Sequence, residues 1–171
     1  MRRAMTVVST AAMAVALSAG SGVGQGFEQV SERGLEQGLE QGGPAEADVA
    51  HHGHVSLWGG RLVLRLSTGN HGPSDLSGAT ARLAFSEPLA VGQKLPAACV
   101  WGGNQVVYCQ AGPLRADGRD SEFLLDLRTL GDPAEVSVDI ATVWNGGADD
   151  LNPDNDKHRV LVPATGDLYM Y

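Results

Sequence analysis

The sequence predicts an all-β fold, an antiparallel β-sandwich of seven to eight short strands. Three observations predict it. Apolar and polar residues alternate with period two over four separate segments, as in strands with one buried face. Clusters of Gly, Pro, Asn and Asp separate those segments. The chain is 43% hydrophobic with only 5% aromatic residues and 23 glycines, a composition that suits short strands and turns over long helices.

Taken in order, the chain begins as an export signal. Arg2 and Arg3 precede the uncharged stretch Ala4 to Gln25, whose apolar centre is Met5 to Leu17. That centre suits a signal-peptide h-region and is too short to span a bilayer. Small residues at 18–22 place the cleavage region there, so residues 1–22 are expected to be removed. Loss of Arg2 and Arg3 takes the net charge from −8 to −10. Such an acidic chain offers no basic stripe for nucleic acid, and insertion into a membrane after signal cleavage is not expected.

Residues 23–50 are expected to be an acidic linker rich in Gly, Glu and Gln. Within it, 26–41 is a four-residue quasi-repeat (Gly-Phe-Glu-Gln, Val-Ser-Glu-Arg, then Gly-Leu-Glu-Gln twice), whose glycines weaken any helix. The folded domain is expected over 51–171. Leu62, Leu64 and Leu66 alternate with Arg61, Val63 and Arg65. Ala79, Ala81, Leu83 and Phe85 alternate with Thr80, Arg82 and Ala84. Phe123, Leu125 and Leu127 alternate with Glu122, Asp126 and Arg128, and Val136, Val138 and Ile140 with Ser137 and Asp139. Shorter candidates lie at 54–58, 105–109, 158–162 and 168–171. The turns between them are Gly59-Gly60, Gly69-Asn70-His71-Gly72-Pro73, Ala111-Gly112-Pro113 and Asp132-Pro133.

The two cysteines, Cys99 and Cys109, read as a disulfide in an exported chain. The loop they close is about eleven residues, for which chain entropy predicts about 2.7 kcal/mol of stabilisation. A redox or metal pair would need closer spacing.

Two segments carry a family resemblance: Leu66-Ser67-Thr68-Gly69-Asn70-His71-Gly72-Pro73-Ser74-Asp75, and Ala141-Thr142-Val143-Trp144 followed by Asp149-Asp150-Leu151-Asn152-Pro153-Asp154-Asn155-Asp156. In order and spacing they resemble the bacterial conserved-repeat domain of unknown function eleven, a CARDB-like repeat of secreted and surface proteins. Pro96-Ala97-Ala98-Cys99 and Val106-Val107-Tyr108-Cys109 also look like its paired-cysteine segments. The resemblance spans about 54–165. It implies an immunoglobulin-like sandwich with no shared catalytic residues. Such domains recur in arrays, whereas here the pattern occurs once.

Candidate chemistry is sparse. Asp150, Asn152, Asp154 and Asp156 alternate hard oxygens that could coordinate Ca²⁺. An EF-hand is excluded, because Asn155 stands where its loop needs Gly and Leu161 where it needs a bidentate Glu. His51, His52 and His54, with His71, could bind Zn²⁺, Ni²⁺ or Cu²⁺. Trp101, inside the disulfide loop, is a candidate ligand-binding residue for stacking on sugars. Trp58 and Trp144 are expected to pack within their strands. Glu122 and Asp126 read as solvated charges. Pro163-Ala164-Thr165-Gly166 resembles a sorting motif but reads as a turn into a last strand. No Gly-x-Ser-x-Gly, phosphate loop or His-Glu-x-x-His occurs. The expected role is therefore a secreted, non-enzymatic interaction module, with an extracellular protein or a cell-wall glycan as partner. The alternative is a carbohydrate- or calcium-dependent binding module using Trp101 or the acidic turn. A secreted hydrolase or protease inhibitor has no motif to support it.

Overall fold

In the computed structural model, residues 43–171 are described, and the expected signal segment and quasi-repeat lie outside them. The alternating segments all form strands. Eleven strands and no helix occur among the described residues: β1 (Glu46–Ala47), β2 (Val49–Trp58), β3 (Arg61–Asn70), β4 (Ala79–Phe85), β5 (Cys99–Trp101), β6 (Val106–Ala111), β7 (Ser121–Arg128), β8 (Glu135–Trp144), β9 (Asp149–Asp150), β10 (Lys157–Pro163) and β11 (Tyr169–Met170). Seven are six residues or longer and match seven of the expected strands, and β11 matches the eighth, expected at 168–171. β1, β5 and β9 are additions of two, three and two residues.

The strands form an antiparallel β-sandwich. One sheet has the order β10-β8-β4-β6-β5 and the other β11-β2-β3-β7. A third, parallel pair joins β1 to β9, matching Glu46 with Asp149 and Ala47 with Asp150. The folded part thus starts ahead of His51, and Ala47, Val49 and Ala50 are buried rather than part of a linker.

The core is the set of inward positions that the alternation marks. Leu62, Leu64 and Leu66 of β3 and Phe123, Leu125 and Leu127 of β7 meet Ala81, Leu83 and Phe85 of β4, Val107 of β6 and Val136, Val138 and Ile140 of β8. Removing such surface from water is the main term holding the sheets together. The outward positions of β3 and β7 carry paired charges instead. Arg61 binds Asp126 with two hydrogen bonds of 2.8 and 2.7 Å, and Arg65 binds Glu122. Glu122 and Asp126 are therefore ion-paired across strands, and exposed pairs of this kind add little stability.

The turn after β3 is built around Asn70, which is buried. Its Oδ1 accepts the N–H groups of Asp48 at 3.2 Å and Gly72 at 3.0 Å. Its Nδ2 donates to the carbonyls of Ser74 at 2.8 Å and Leu114 at 3.2 Å. Gly72 sits so close to the Ala47–Asp48 backbone that any β carbon there would collide with it.

The last strand closes over a second glycine. Tyr171 N–H donates to Gly53 O at 3.2 Å, Gly53 N–H donates to Tyr171 O at 3.3 Å, and the Tyr171 hydroxyl donates to Arg65 O at 2.8 Å. Burial holds that hydroxyl well above the usual phenol range. A β carbon at Gly53 would run into the Arg65 carbonyl and lie 2.7 Å from the Tyr171 hydroxyl. Gly53→Ala is expected to lower the unfolding free energy by about 2–3 kcal/mol, as overpacking does, and urea denaturation checks it.

Candidate functional site

Three places bear on function: the β5 edge, the acidic turn and the histidines. β5 is an edge strand, joined to β6 by the register Cys99–Cys109, Val100–Tyr108 and Trp101–Val107. The disulfide is formed, with Sγ atoms 2.08 Å apart. Hydrogen bonds in an antiparallel pair alternate. Here Ala98 O accepts Gln110 N–H at 2.9 Å, and Gly102 N–H donates to Val106 O at 2.8 Å. Even-numbered residues therefore face β6. The N–H and C=O of Trp101 and the C=O of Cys99 turn to the open edge, while Cys99 N–H donates to Pro96 O at 2.9 Å.

Beside that edge lies a cleft of about 260 Å³, lined by Leu89, Ala90, Val91, Gly92, Trp101, Gly103 and Asn104. Its lining is almost wholly apolar. Trp101 is 39% exposed and Val91 92%. The opposite wall is pinned at both ends. Leu89 N–H donates to Asn104 O at 2.7 Å, and Ala90 N–H donates to Arg128 O at 2.8 Å. The Gln93 amide adds bonds to Ala90 O at 2.7 Å and Arg128 O at 2.9 Å. The cleft is thus a shaped feature with fixed walls. Trp101 was legible in the sequence, whereas Leu89, Val91 and Asn104 were missed. The signal available was the short run Leu89-Ala90-Val91, apolar yet outside any alternation.

The other two tryptophans are a correction. Trp58 is 68% exposed and Trp144 46%, so neither packs inside the sandwich. Trp58 has the outward parity of β2. Trp144 follows an irregular register, in which Thr80 matches Trp144 while Ala81 matches Thr142.

The acidic turn does not bring its four residues together. Asp150 spends Oδ2 on Val49 N–H at 3.2 Å and Oδ1 on Asn152 N–H at 2.9 Å. Asn152 and Asp154 face solvent, while Asp156 is buried. Burial pushes the Asp156 carboxyl up, Lys157 draws it back, and the Asp150 charge raises it further. Asn155 Oδ1 and Asp156 Oδ1 are buried with no hydrogen-bond partner, although Lys157 Nζ is 3.7 Å from the latter.

The histidines do not form one cluster. His51 is fully buried between the sheets. Its Nδ1 is 3.1 Å from Thr68 Oγ1 of β3, and its Nε2 is 2.9 Å from Thr142 Oγ1 of β8. A neutral imidazole has one donor and one acceptor nitrogen, and a hydroxyl serves either. Burial, with His158 and His52 nearby, lowers its pKa to about 4. His52 is exposed and stacks on His71, while His54 lies further along β2. Among the described residues, no group of three or more His, Cys, Asp or Glu is placed to hold a metal ion.

The sorting-like segment is folded as a turn. Pro163 ends β10, and Gly166 N–H donates to Leu57 O at 2.9 Å. No helix among the described residues is long and apolar enough to cross a membrane.

The disulfide ties the three-residue β5 to the sandwich. Replacing both cysteines with serine is expected to lower stability by about 2–3 kcal/mol. Amide exchange should speed at Val100 and Gly102 and stay slow in β3, β4 and β8. No family model matches this sequence, and no curated protein matches it.

Proposed function

We propose that the protein is a secreted, non-enzymatic, immunoglobulin-like interaction module that contacts an extracellular protein through the β5 edge and the Trp101 cleft. The observation that carries this reading is an open strand edge lying beside an apolar cleft with pinned walls. An extended segment of a partner could add a strand at Trp101 and seat an apolar side chain between Trp101 and Val91. Disulfides persist in oxidising compartments, which agrees with the leader-like N-terminus. The resemblance to the bacterial repeat domain of unknown function eleven supports the same reading.

A second reading rests on the partly exposed Trp101 ring, which could stack on a cell-wall sugar. The cleft offers few polar groups to sugar hydroxyls beyond Asn104, so the protein partner is favoured.

The test compares wild type with Trp101→Ala on washed cell-wall glycan and on the surface proteins extracted from it. Trp101 is partly exposed at the edge, so the melting temperature should hold within a few degrees. Retention by the protein fraction should weaken at least about tenfold, the size of effect that loss of an anchoring aromatic produces. Loss confined to the glycan fraction would establish the sugar reading. Equal retention of both proteins would remove the cleft as the contact surface.

A further inference from the structure

Outside the β5 edge, a second feature stands on the outer face of the four-stranded sheet. The rings of His52 and His71 are stacked, with centres 6.2 Å apart and planes 24° apart. Both residues are exposed. His52 lies opposite Ser67 in the β2–β3 ladder. Gly69 is the next position on that face of β3, on the side towards His71. Gly69 is buried under the Asp120 carboxylate, and a β carbon there would lie 2.6 Å from Asp120 Oδ1. Asp120 is in turn held by Ser67, whose hydroxyl donates to its Oδ2 at 2.6 Å.

The backbone beneath them is fixed. His71 N–H donates to Asp48 O at 2.8 Å, directly after the fully bonded Asn70. An ion taking two imidazole nitrogens at about 2.1 Å holds the ring centres roughly 4.5–6 Å apart, so rotation of exposed side chains suffices. Imidazole favours borderline transition ions over Mg²⁺ or Ca²⁺. The other histidines are placed differently. Both ring nitrogens of His51 are engaged with threonines, and His158 packs on Tyr171 with Nε2 3.1 Å from Asn155 O. His54 lies opposite Arg65 and Met170.

We propose that His52 and His71 bind one borderline transition-metal ion such as Zn²⁺ on the outer face of the sheet. Two protein nitrogens leave further coordination positions to water or to a ligand from outside. Each imidazole must be neutral to bind, so binding competes with protons.

The test titrates the metal-free full chain with ZnCl₂ at pH 7.5 by calorimetry, and follows the five imidazoles by ¹⁵N–¹H correlation spectra. The expected result is one Zn²⁺ per chain, with ring signals of His52 and His71 shifting and those of His54 and His158 unmoved. His52→Gln and His71→Gln should each weaken binding at least about tenfold, within the range seen on losing a ligand. His54→Gln should bind as wild type. No saturable binding, shifts centred on His54 or His158, or unchanged affinity in both His52→Gln and His71→Gln would overturn the site. The spectra of the unmodified protein decide the matter even if a variant misfolds.

Discussion

Asn70→Ala is expected to lower the unfolding free energy by about 4 kcal/mol, a large share of the 5–15 kcal/mol typical of a domain. Asn70 is 2% exposed and makes four hydrogen bonds, each to backbone. Truncation removes all four, leaving the N–H groups of Asp48 and Gly72 and the carbonyls of Ser74 and Leu114 without this partner. Each such loss in a dry site costs about 1–3 kcal/mol, reduced where water can enter. Those partners come from the β1–β2 junction, the turn itself and the segment after β6, so the damage is not local. Asn70→Asp separates geometry from chemistry. It keeps the acceptor but turns a negative charge towards two carbonyl oxygens, and is expected to be at least as harmful. Urea denaturation at pH 7 measures both, and a loss below about 1 kcal/mol for Asn70→Ala would show that this side chain does not organise the turn.

Acid is expected to remove about 3 kcal/mol of stability between pH 6.5 and 4. The sign follows from His51, whose pKa falls from 6.5 to about 4 on folding. In that window the unfolded chain takes up a proton that the folded chain refuses. Stability is thus fully present above pH 6.5 and is lost as pH falls towards 4, at 1.36 kcal/mol per unit. Asp156 acts with the opposite sign. Its carboxyl is raised in the fold, so its protonation favours the folded state as pH falls through its folded pKa. His51→Gln removes the titrating group while leaving a donor and an acceptor for the threonines. Its stability should change much less between pH 7 and 4.5 than that of wild type, whatever its absolute value. A wild-type profile flat over that window would contradict a neutral, buried His51.

The legible parts of the fold are those in which one face of a strand carries the burial. β3, β4, β7 and β8 alternate cleanly over 62–66, 79–85, 123–127 and 136–140 because every inward residue there is apolar. β2 is obscure over its first half for a physical reason. Its inward positions include His51 and Gly53. His51 is tolerated inside because Thr68 and Thr142 satisfy both ring nitrogens, and Thr142 is 91 residues away. Gly53 is required by the Arg65 carbonyl on the paired strand and by the Tyr171 hydroxyl, the latter again distant in the chain. A pairing over such separations leaves no local pattern. The same holds at the candidate site. The turn chemistry of Asn70-His71-Gly72-Pro73 is visible in sequence, but the bonds to Asp48 and Leu114 are not. Trp101 stands out as an aromatic inside a short disulfide loop, whereas the wall opposite it is held by bonds from Leu89, Ala90 and Gln93 to Asn104 and Arg128.

The β5 edge is the proposed contact surface. The most direct measurement is crosslinking in the cells that make the protein, with a photoreactive amino acid at Val100. Val100 is 61% exposed on β5, and the control position, Leu161, is 52% exposed on β10 at the opposite edge of the same sheet. A discrete adduct is expected from position 100 in the extracellular fraction, lost with Trp101→Ala, and none from position 161. Adducts from 161 alone, equal yields from both, or adducts from position 100 that persist in Trp101→Ala would contradict it.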